Sequence, residues 1–520
     1  MPLMKLIEFA EKGLNSDIAP SLLDGNFVTY ARNIRVKDGA IIPMGGHIEL
    51  TELPANSNVG FIHYVPHNGA PYLILLGTDK IYHFDGTFIE VQPTPFVGAS
   101  NPDLWSVSML GQIPIITHPS TGPMFYNQST GKYQSLPWDK AQDWNDASQT
   151  AKVVRAHKQF LIAMDVTDAG QEHPDAIRWS SPADIGSVPE TWDPTDTTNF
   201  AGYTTLGGDG GYIIDGLSLR DSFVIYRQRS ITILDYVRGS YVWKIRHMTE
   251  SAGLLSKDCI AEANGVHYFI GDGDVYRNDG TNVRSIMHKR VKTSFATSID
   301  KDNYHRSFAR HNIAKSEIWF CVPQTGSSRP DIAYIYNYVD DTWAIRDLPN
   351  CLNATYGAPP AKSSVWDYID SSWDDISRSW NDETQTPYSD SLITVIPSDD
   401  GTTGKIAILD TPIDSTSVPF STIIERTDLA INGVNSVTTI KRIYPYITGV
   451  AKVMIQIGSQ SRPGGPTSWK RAVEFDPNRD RKVDVRSTGE LHCFRIYSDD
   501  VHAHFAFSGM DVEFIEAGER

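Results

Sequence analysis

Between Phe61 and Leu348 the sequence repeats one pattern six times: a short apolar run, then a second run closed by a turn. Five of the pairs are "YLILLG" (Tyr72–Gly77) with "KIYHFDGTFIEV" (Lys80–Val91), "IPIITH" (Ile113–His118) with "PMFYNQSTGKYQSL" (Pro123–Leu136), "FVIYRQ" (Phe223–Gln228) with "SITILDYVRGSYVWKI" (Ser230–Ile245), "VHYFIG" (Val266–Gly271) with "DVYRNDGTNVRSI" (Asp274–Ile286), and "EIWFCV" (Glu317–Val322) with "AYIYNYVDDTWAI" (Ala333–Ile345). The sixth, Val153–Pro182, holds "QFLIAM" (Gln159–Met164) and a longer turn. Runs this short, rich in β-branched and aromatic residues and bounded by Gly, Asp, Asn or Pro, read as strands. Turn pairs such as Asp85-Gly86 and Asp279-Gly280 tolerate positive φ and close tight hairpins. One hairpin cannot bury its own faces, so units about 50 residues apart predict a propeller-like ring of about six small antiparallel sheets. A meander of hairpins in two packed sheets is the alternative the uneven spacing leaves open. Helix is disfavoured throughout, because 39 Gly and 30 Pro interrupt almost every window long enough to hold one.

The repeat stops after Asn350, and "GAPPAKSS" (Gly357–Ser364) reads as a linker. It leads into "SVWDYIDSSWDDISRSWND" (Ser364–Asp382), where Trp366, Trp373 and Trp380 recur every seven residues. With Ile369 and Ile376 they form one apolar stripe if the segment is helical, although repeated S-x-x-D capping spacings suggest successive short turns. Ser363 to Asp400 contains nine acidic residues against one basic, Arg378, a net of −8 in a chain whose formal charge is −17. From about Thr422 strands alternating apolar and polar residues return, as in "KVMIQIGSQ" and "LHCFRIYS". That alternation predicts a separate C-terminal β-sandwich.

Charge and motifs exclude several classes. An acidic chain lacks the clustered Lys and Arg that grip phosphate backbones. Four cysteines (Cys259, Cys321, Cys351, Cys493) without a C-x-x-C argue against a disulfide scaffold or zinc site, and for folding in a reducing compartment. No apolar segment approaches the length of a membrane span. The H-E-x-x-H, G-x-x-x-x-G-K-[ST], G-x-S-x-G and G-x-G-x-x-G motifs are missing. "GDGDVYRNDG" (Gly271–Gly280) resembles a calcium loop but has Val283 where the final acid belongs, so two successive hairpin turns explain it better. "GGDGG" (Gly207–Gly211) reads as a bulged turn, and His502 with His504 offers a metal two ligands at most.

Three stretches carry a family resemblance. In "GLNSDIAPSLLDGNFVTYARNIRVKDGAIIPMGG" (Gly13–Gly46), Gly13, Leu14, Asn15, Asp17, Pro20, Asn33, Ile34, Arg35, Asp38, Gly39, Pro43 and Gly46 match the opening of tail structural proteins of short-tailed bacteriophages. Ile177–Val237 resembles their middle segment through an R-W-S-x-P phrase (Arg178 to Pro182), Trp192-Asp193, Ala201-Gly202 and a late S-I-x-x-L strand. "ITGVAKVMIQIGSQ", "RSTGELHCFRIYS" and "FSGMDVEFIEAGER" look typical of the family's C-terminus. The resemblance implies a tail nozzle or hub protein of podoviruses: a hexameric, propeller-bearing subunit of the DNA exit tube. Implied neighbours are portal-adaptor proteins above, tail fibres or spikes, a needle or plug, and genomic DNA passing without sequence recognition. The implied location is the virion tail, assembled in the cytoplasm of the bacterial host.

The expectations are therefore specific. Residues 1–50 should form an N-terminal arm with the first strands, 51–350 the propeller-like domain, 351–420 an inserted acidic excursion and 421–520 the sandwich. A strand near Arg32–Val36 should pair into the ring or its flank. Trp366, Asp367, Asp370, Trp373, Asp374, Asp375, Trp380 and Asp382 are the tip or channel candidates, because an acidic wall neutralises no phosphates and retains no DNA. No catalytic residue, metal or cofactor is expected. The competing reading is a glycan-binding or glycan-cleaving propeller, whose sugar-stacking surfaces the 12 Trp, 23 Tyr and 20 Phe could supply.

Overall fold

Every one of the six hairpin units becomes a four-stranded antiparallel sheet, and a seventh sheet closes the set. A computed structural model describes residues 3–7, 11–67, 71–96, 98–195, 198–237, 242–359, 390–397, 403–411, 421–433, 436–499 and 504–519. The sheets are called one to seven in chain order, and their first strands are Val59–Val65, Ser106–Leu110, Gln149–His157, Ile213–Leu219, Ile260–Ala263, Phe308–Asn312 and Ala354–Gly357. The chain is an all-β propeller.

Sheet seven corrects the count of about six. It runs Ala354–Gly357, Ser391–Pro397, Gly404–Thr411 and then Gly46–Glu52, so its outer strand comes from the other end of the chain. Three of its strands fall within the span expected to be only an acidic excursion, and the fourth straddles the expected boundary between N-terminal arm and propeller. The ring is thus clasped by pairing an early strand with a late one, which leaves no unpaired gap between the last sheet and the first.

Apolar clusters seal each sheet against the next. Phe61, Trp105 and Ile116 pack between sheets one and two, Trp144, Val154 and Leu161 between two and three, and Ile162, Phe223 and Leu234 between three and four. Phe308, Trp319 and Leu392 fill the space between six and seven, while Leu53, Ile62 and Ile393 join seven back to one. The largest cluster spans sheets four to six and continues into the C-terminal domain.

That domain is a sandwich of two six-stranded sheets, and four N-terminal strands belong to it. Tyr30–Arg32 pairs with Thr422–Leu429 in one sheet, while Leu3–Ile7 and Ala40–Pro43 pair with Phe505–Glu519 in the other. The strands around Arg32–Val36 therefore join the sandwich, not the ring, and only flank sheet six. There the Asn33 amide donates to the Ile345 carbonyl at 2.8 Å, the Leu14 amide donates to the Trp343 carbonyl, and Arg32 pairs with Asp347. This contact covers the outer strand of sheet six, an edge that would otherwise be open.

The residues of the family-like opening perform this docking. Gly13 has φ +74°, and a Cβ there would lie 3.0 Å from the Trp343 carbonyl oxygen. The Asn15 side chain donates to the Lys289 carbonyl, and both Asp17 oxygens accept from the Lys292 and Thr293 amides at 2.9 Å. Arg35 is buried and forks onto Glu317 of sheet six while also binding Asp410 of sheet seven at 2.6 Å. Lys315 reaches the same Asp410 oxygen at 2.6 Å. Burial disfavours both charges, but the opposed partners outweigh it, holding the Asp410 carboxyl well below its usual range and raising the Arg35 guanidinium. Sandwich, sheet six and sheet seven meet at this one ion cluster.

A buried histidine ties sheets four and five. His267 Nε2 donates to the Ser218 carbonyl and its Nδ1 accepts from the Tyr226 hydroxyl, both at 2.9 Å. Asn278 in turn donates to that hydroxyl. Burial pulls the His267 pKa down to about 4. In the unfolded chain the imidazole keeps its ordinary value near 6.5, so as pH falls from about 6.5 to 4 only the unfolded state takes up the proton. Stability should decline across that window by up to about 1.4 kcal/mol per pH unit from this group. Urea midpoints at pH 7 and pH 4.5 should converge in the His267→Gln variant relative to the parent. An unchanged gap would refute the assignment.

Candidate functional site

The first strands of the sheets line the ring axis, and in five of them a polar or charged residue sits at the same place near the strand's end. His63, Ser108, Arg155, Arg310 and Thr355 each lie two residues before the end of the first strand of their own sheet. A strand's alternation sends such residues to the same side, here inward. Arg155 is the hub. Its Nε and Nη2 fork onto the two Asp215 oxygens at 2.8 and 2.7 Å, its Nη1 donates to the Val107 carbonyl at 2.7 Å, and Nη2 lies 3.4 Å from Asp258 Oδ1. One guanidinium thus joins sheets two, three and four and the segment entering sheet five.

Further contacts bring in sheets five, six, seven and one. The Asp258 amide donates to Asp215 Oδ2 at 3.1 Å. Lys257 Nζ binds its neighbour Asp258 and the Trp105 carbonyl across the axis. Arg310 donates to Asn353 Oδ1 at 2.7 Å and to the Ala354 carbonyl, joining sheets six and seven. The Tyr64 amide donates to Thr355 Oγ1 at 3.0 Å, joining seven to one.

Three cations and two carboxylates share this space, with side-chain exposures of 11% for Arg155 and Asp258, 3% for Asp215 and 17% for Lys257. Burial alone would raise the Asp258 carboxyl, yet Lys257, Arg310 and Arg155 hold it well below the usual range. Burial lowers Arg310, offset in part by Asp258, whereas in Arg155 the carboxylates outweigh burial and raise it. His63 is pulled down to about 4 by burial and then by Arg310 and Arg155, so it is neutral at pH 7. The cluster is a saturated plug. Its carboxylates are already engaged by cations and amides, which suits a fastener rather than a proton-transfer pair.

In sequence no protein-family model matches this chain, and no curated protein does. In structure it is similar to one described as "Structure of U3-55K", at 8% identity and TM-score 0.39, covering 70% of this chain and 99% of that one. It is also similar to the "Crystal structure of WD40 beta propeller domain of Doa1", at 10% identity and TM-score 0.37, covering 70% and 97%. The propeller assignment rests on the strand pairing of the seven sheets.

The tip candidates Trp366, Asp367, Asp370, Trp373, Asp374, Asp375, Trp380 and Asp382 lie outside the described residues, as does His502. The points where their segment departs and returns are described. Gly357 pairs with Ser391, so the insertion begins and ends at neighbouring positions on the two innermost strands of sheet seven. The base is firmly built: a Cβ on Gly357 would lie 2.2 Å from the Tyr64 ring. The other flagged motifs are structural. Asp274 is buried on Lys292 at 2.7 Å, Asp279 caps its own turn, and the Gly207–Gly211 loop wraps Arg227, whose guanidinium donates to the Gly207 and Gly211 carbonyls. The four cysteines are buried free thiols. Among the described residues no group of three or more His, Cys, Asp or Glu is arranged to hold a metal, and no helix is long and apolar enough to cross a membrane.

Proposed function

We propose that this chain is a structural subunit of the tail nozzle of a short-tailed bacteriophage, assembled from several copies into a tube through which the genome leaves. The observation that carries the reading is the insertion point: the most acidic segment of the chain is held at both ends by the inner strands of sheet seven, at Gly357 and Ser391. The plugged axis supports a tube built between copies, not through any one propeller. The family-like residues Gly13, Asn15, Asp17 and Arg35 fasten sandwich to ring, as a part under mechanical load requires. Six copies of a −17 subunit would carry about −100, and an acidic wall gives passing phosphates nothing to bind.

The test is charge reversal. Replacing Asp367, Asp370, Asp374 and Asp375 with Lys should leave the fold intact and slow genome release from assembled particles, most at low salt, because the introduced cations would retain DNA. Ejection at the parental rate at low salt would count against a channel role. The glycan-binding reading draws on one feature, an open cleft of about 770 Å³ beside sheet two lined by Phe96, Lys132, Gln134, Asp143 and Asn145. Binding of bacterial polysaccharides that a Phe96→Ala change abolishes would favour it.

A further inference from the structure

We propose that Arg277 and Arg284 form an oxyanion-binding site where sheet five faces sheet six, taking a phosphate or a carboxylate. The proposal goes beyond the nozzle reading and does not depend on it. Tyr268, Arg277 and Arg284 are directly opposed on three adjacent strands of sheet five, Tyr268 with Arg277 and Arg277 with Arg284. They therefore share one face. Opposed side chains in such a pair have Cβ atoms only about 5 Å apart, and like charges placed there repel. Two arginines are an unusual choice for that position in a chain as acidic as this one.

Among the described residues neither arginine sits within ion-pair distance of a carboxylate, and Asp279 feels the Arg277 charge only as the smallest of the influences that lower its carboxyl. The nearby carboxylates are committed elsewhere: Asp279 accepts from the Thr281 amide and hydroxyl and the Asn282 amide, at 2.9, 2.6 and 2.8 Å. Asp341 accepts from the Tyr336 hydroxyl at 2.9 Å and from Arg290 at 3.2 Å. The Nε of Arg277 is shielded from solvent with no acceptor. A shielded guanidinium N–H without an acceptor carries a desolvation cost that an oxyanion would relieve.

The surroundings complete the recognition surface. Tyr268 stacks with Tyr338 at 6.2 Å between ring centroids and lies 5.9 Å from Tyr336, which together wall the site from sheet six. Arg277 is half-buried against this wall while Arg284 is exposed, so an anion can arrive from solvent and meet both forks. A phosphate, or the carboxylate of an acidic side chain presented by a partner, has the paired oxygens that two guanidinium groups bind.

The test uses the full chain at matched ionic strength, titrated with inorganic phosphate in one arm and a hexaglutamate peptide in the other, each against sodium chloride. The parent should show a rise in melting temperature and saturable heat with at least one probe. The R277Q/R284Q variant should bind that probe at least tenfold more weakly, and without any probe it should melt at or above the parental temperature because the repulsion is gone. A response to phosphate alone assigns a small anion, and one to the peptide alone assigns a carboxylate-bearing partner. A parent indifferent to both probes, or a variant that responds as the parent does, overturns the proposal, and neither result bears on genome release.

Discussion

Replacing Asp258 with alanine should destabilise the ring by about 3–5 kcal/mol, the cost of leaving buried cations without their partner. Asp258 is the one carboxylate that Lys257, Arg155 and, through its electrostatic field, Arg310 share. Its removal strands Lys257 and Arg310 among the inner strands, where water cannot solvate them well, while Arg155 keeps Asp215. Urea unfolding followed by tryptophan fluorescence reads this directly, since Trp105 lies beside Lys257 and is fully buried. A contrast sharpens the claim. Replacing Arg155 and Asp215 together by Met and Leu removes a matched, bidentate pair and should cost far less than Asp258→Ala, because no charge is left unpaired. If Asp258→Ala costs under 1 kcal/mol, the axis is wetter than its exposures indicate and the plug is not a fastener.

Much of this architecture was legible in the sequence, and the gaps have physical causes. Sheets one to six each lie in one continuous stretch, so β-branched runs and Asp-Gly turns announced them in order. Sheet seven does not: its strands come from Gly46–Glu52 and from Ala354–Thr411, and the latter stretch is split by the acidic insertion. Periodicity along the chain cannot register a unit whose fourth strand lies some three hundred residues away from the rest. Membership of the N-terminal strands in the sandwich was hidden for the same reason, since pairing of Tyr30–Arg32 with Thr422–Leu429 leaves no local signature. The axial cluster was missed although a signal was present. "FIHYV", "VVRAH" and "FARHN" each place a charged or polar side chain two positions before the end of a unit's first strand, at His63, Arg155 and Arg310. Apolar runs mark the sheets, while the polar residues near the ends of their first strands mark the axis.

A chain beginning at residue 53 should fail to form a closed ring. The strand Gly46–Glu52 pairs along Gly404–Thr411, with His47 opposite Leu409, Ile48 opposite Ile408 and Glu52 opposite Lys405. Without it, Gly404–Thr411 becomes a free edge carrying unpaired backbone groups beside Ile406 and Leu409, both buried in the intact protein. The cluster between sheets seven and one also loses Leu50, packed against it. A chain beginning at residue 46 separates closure from docking. It keeps the clasp strand but lacks Gly13, Asn15, Asp17 and Arg35, so it should retain a cooperative, though weakened, unfolding transition. The shorter chain should show none, and should associate through the exposed edge on size exclusion. The difference between the two chains isolates what seven residues contribute by joining the ends of the ring. If both chains unfold with the same midpoint and elute as monomers, the ring holds without its clasp, and the six sheets built from contiguous sequence would be a sufficient folding unit.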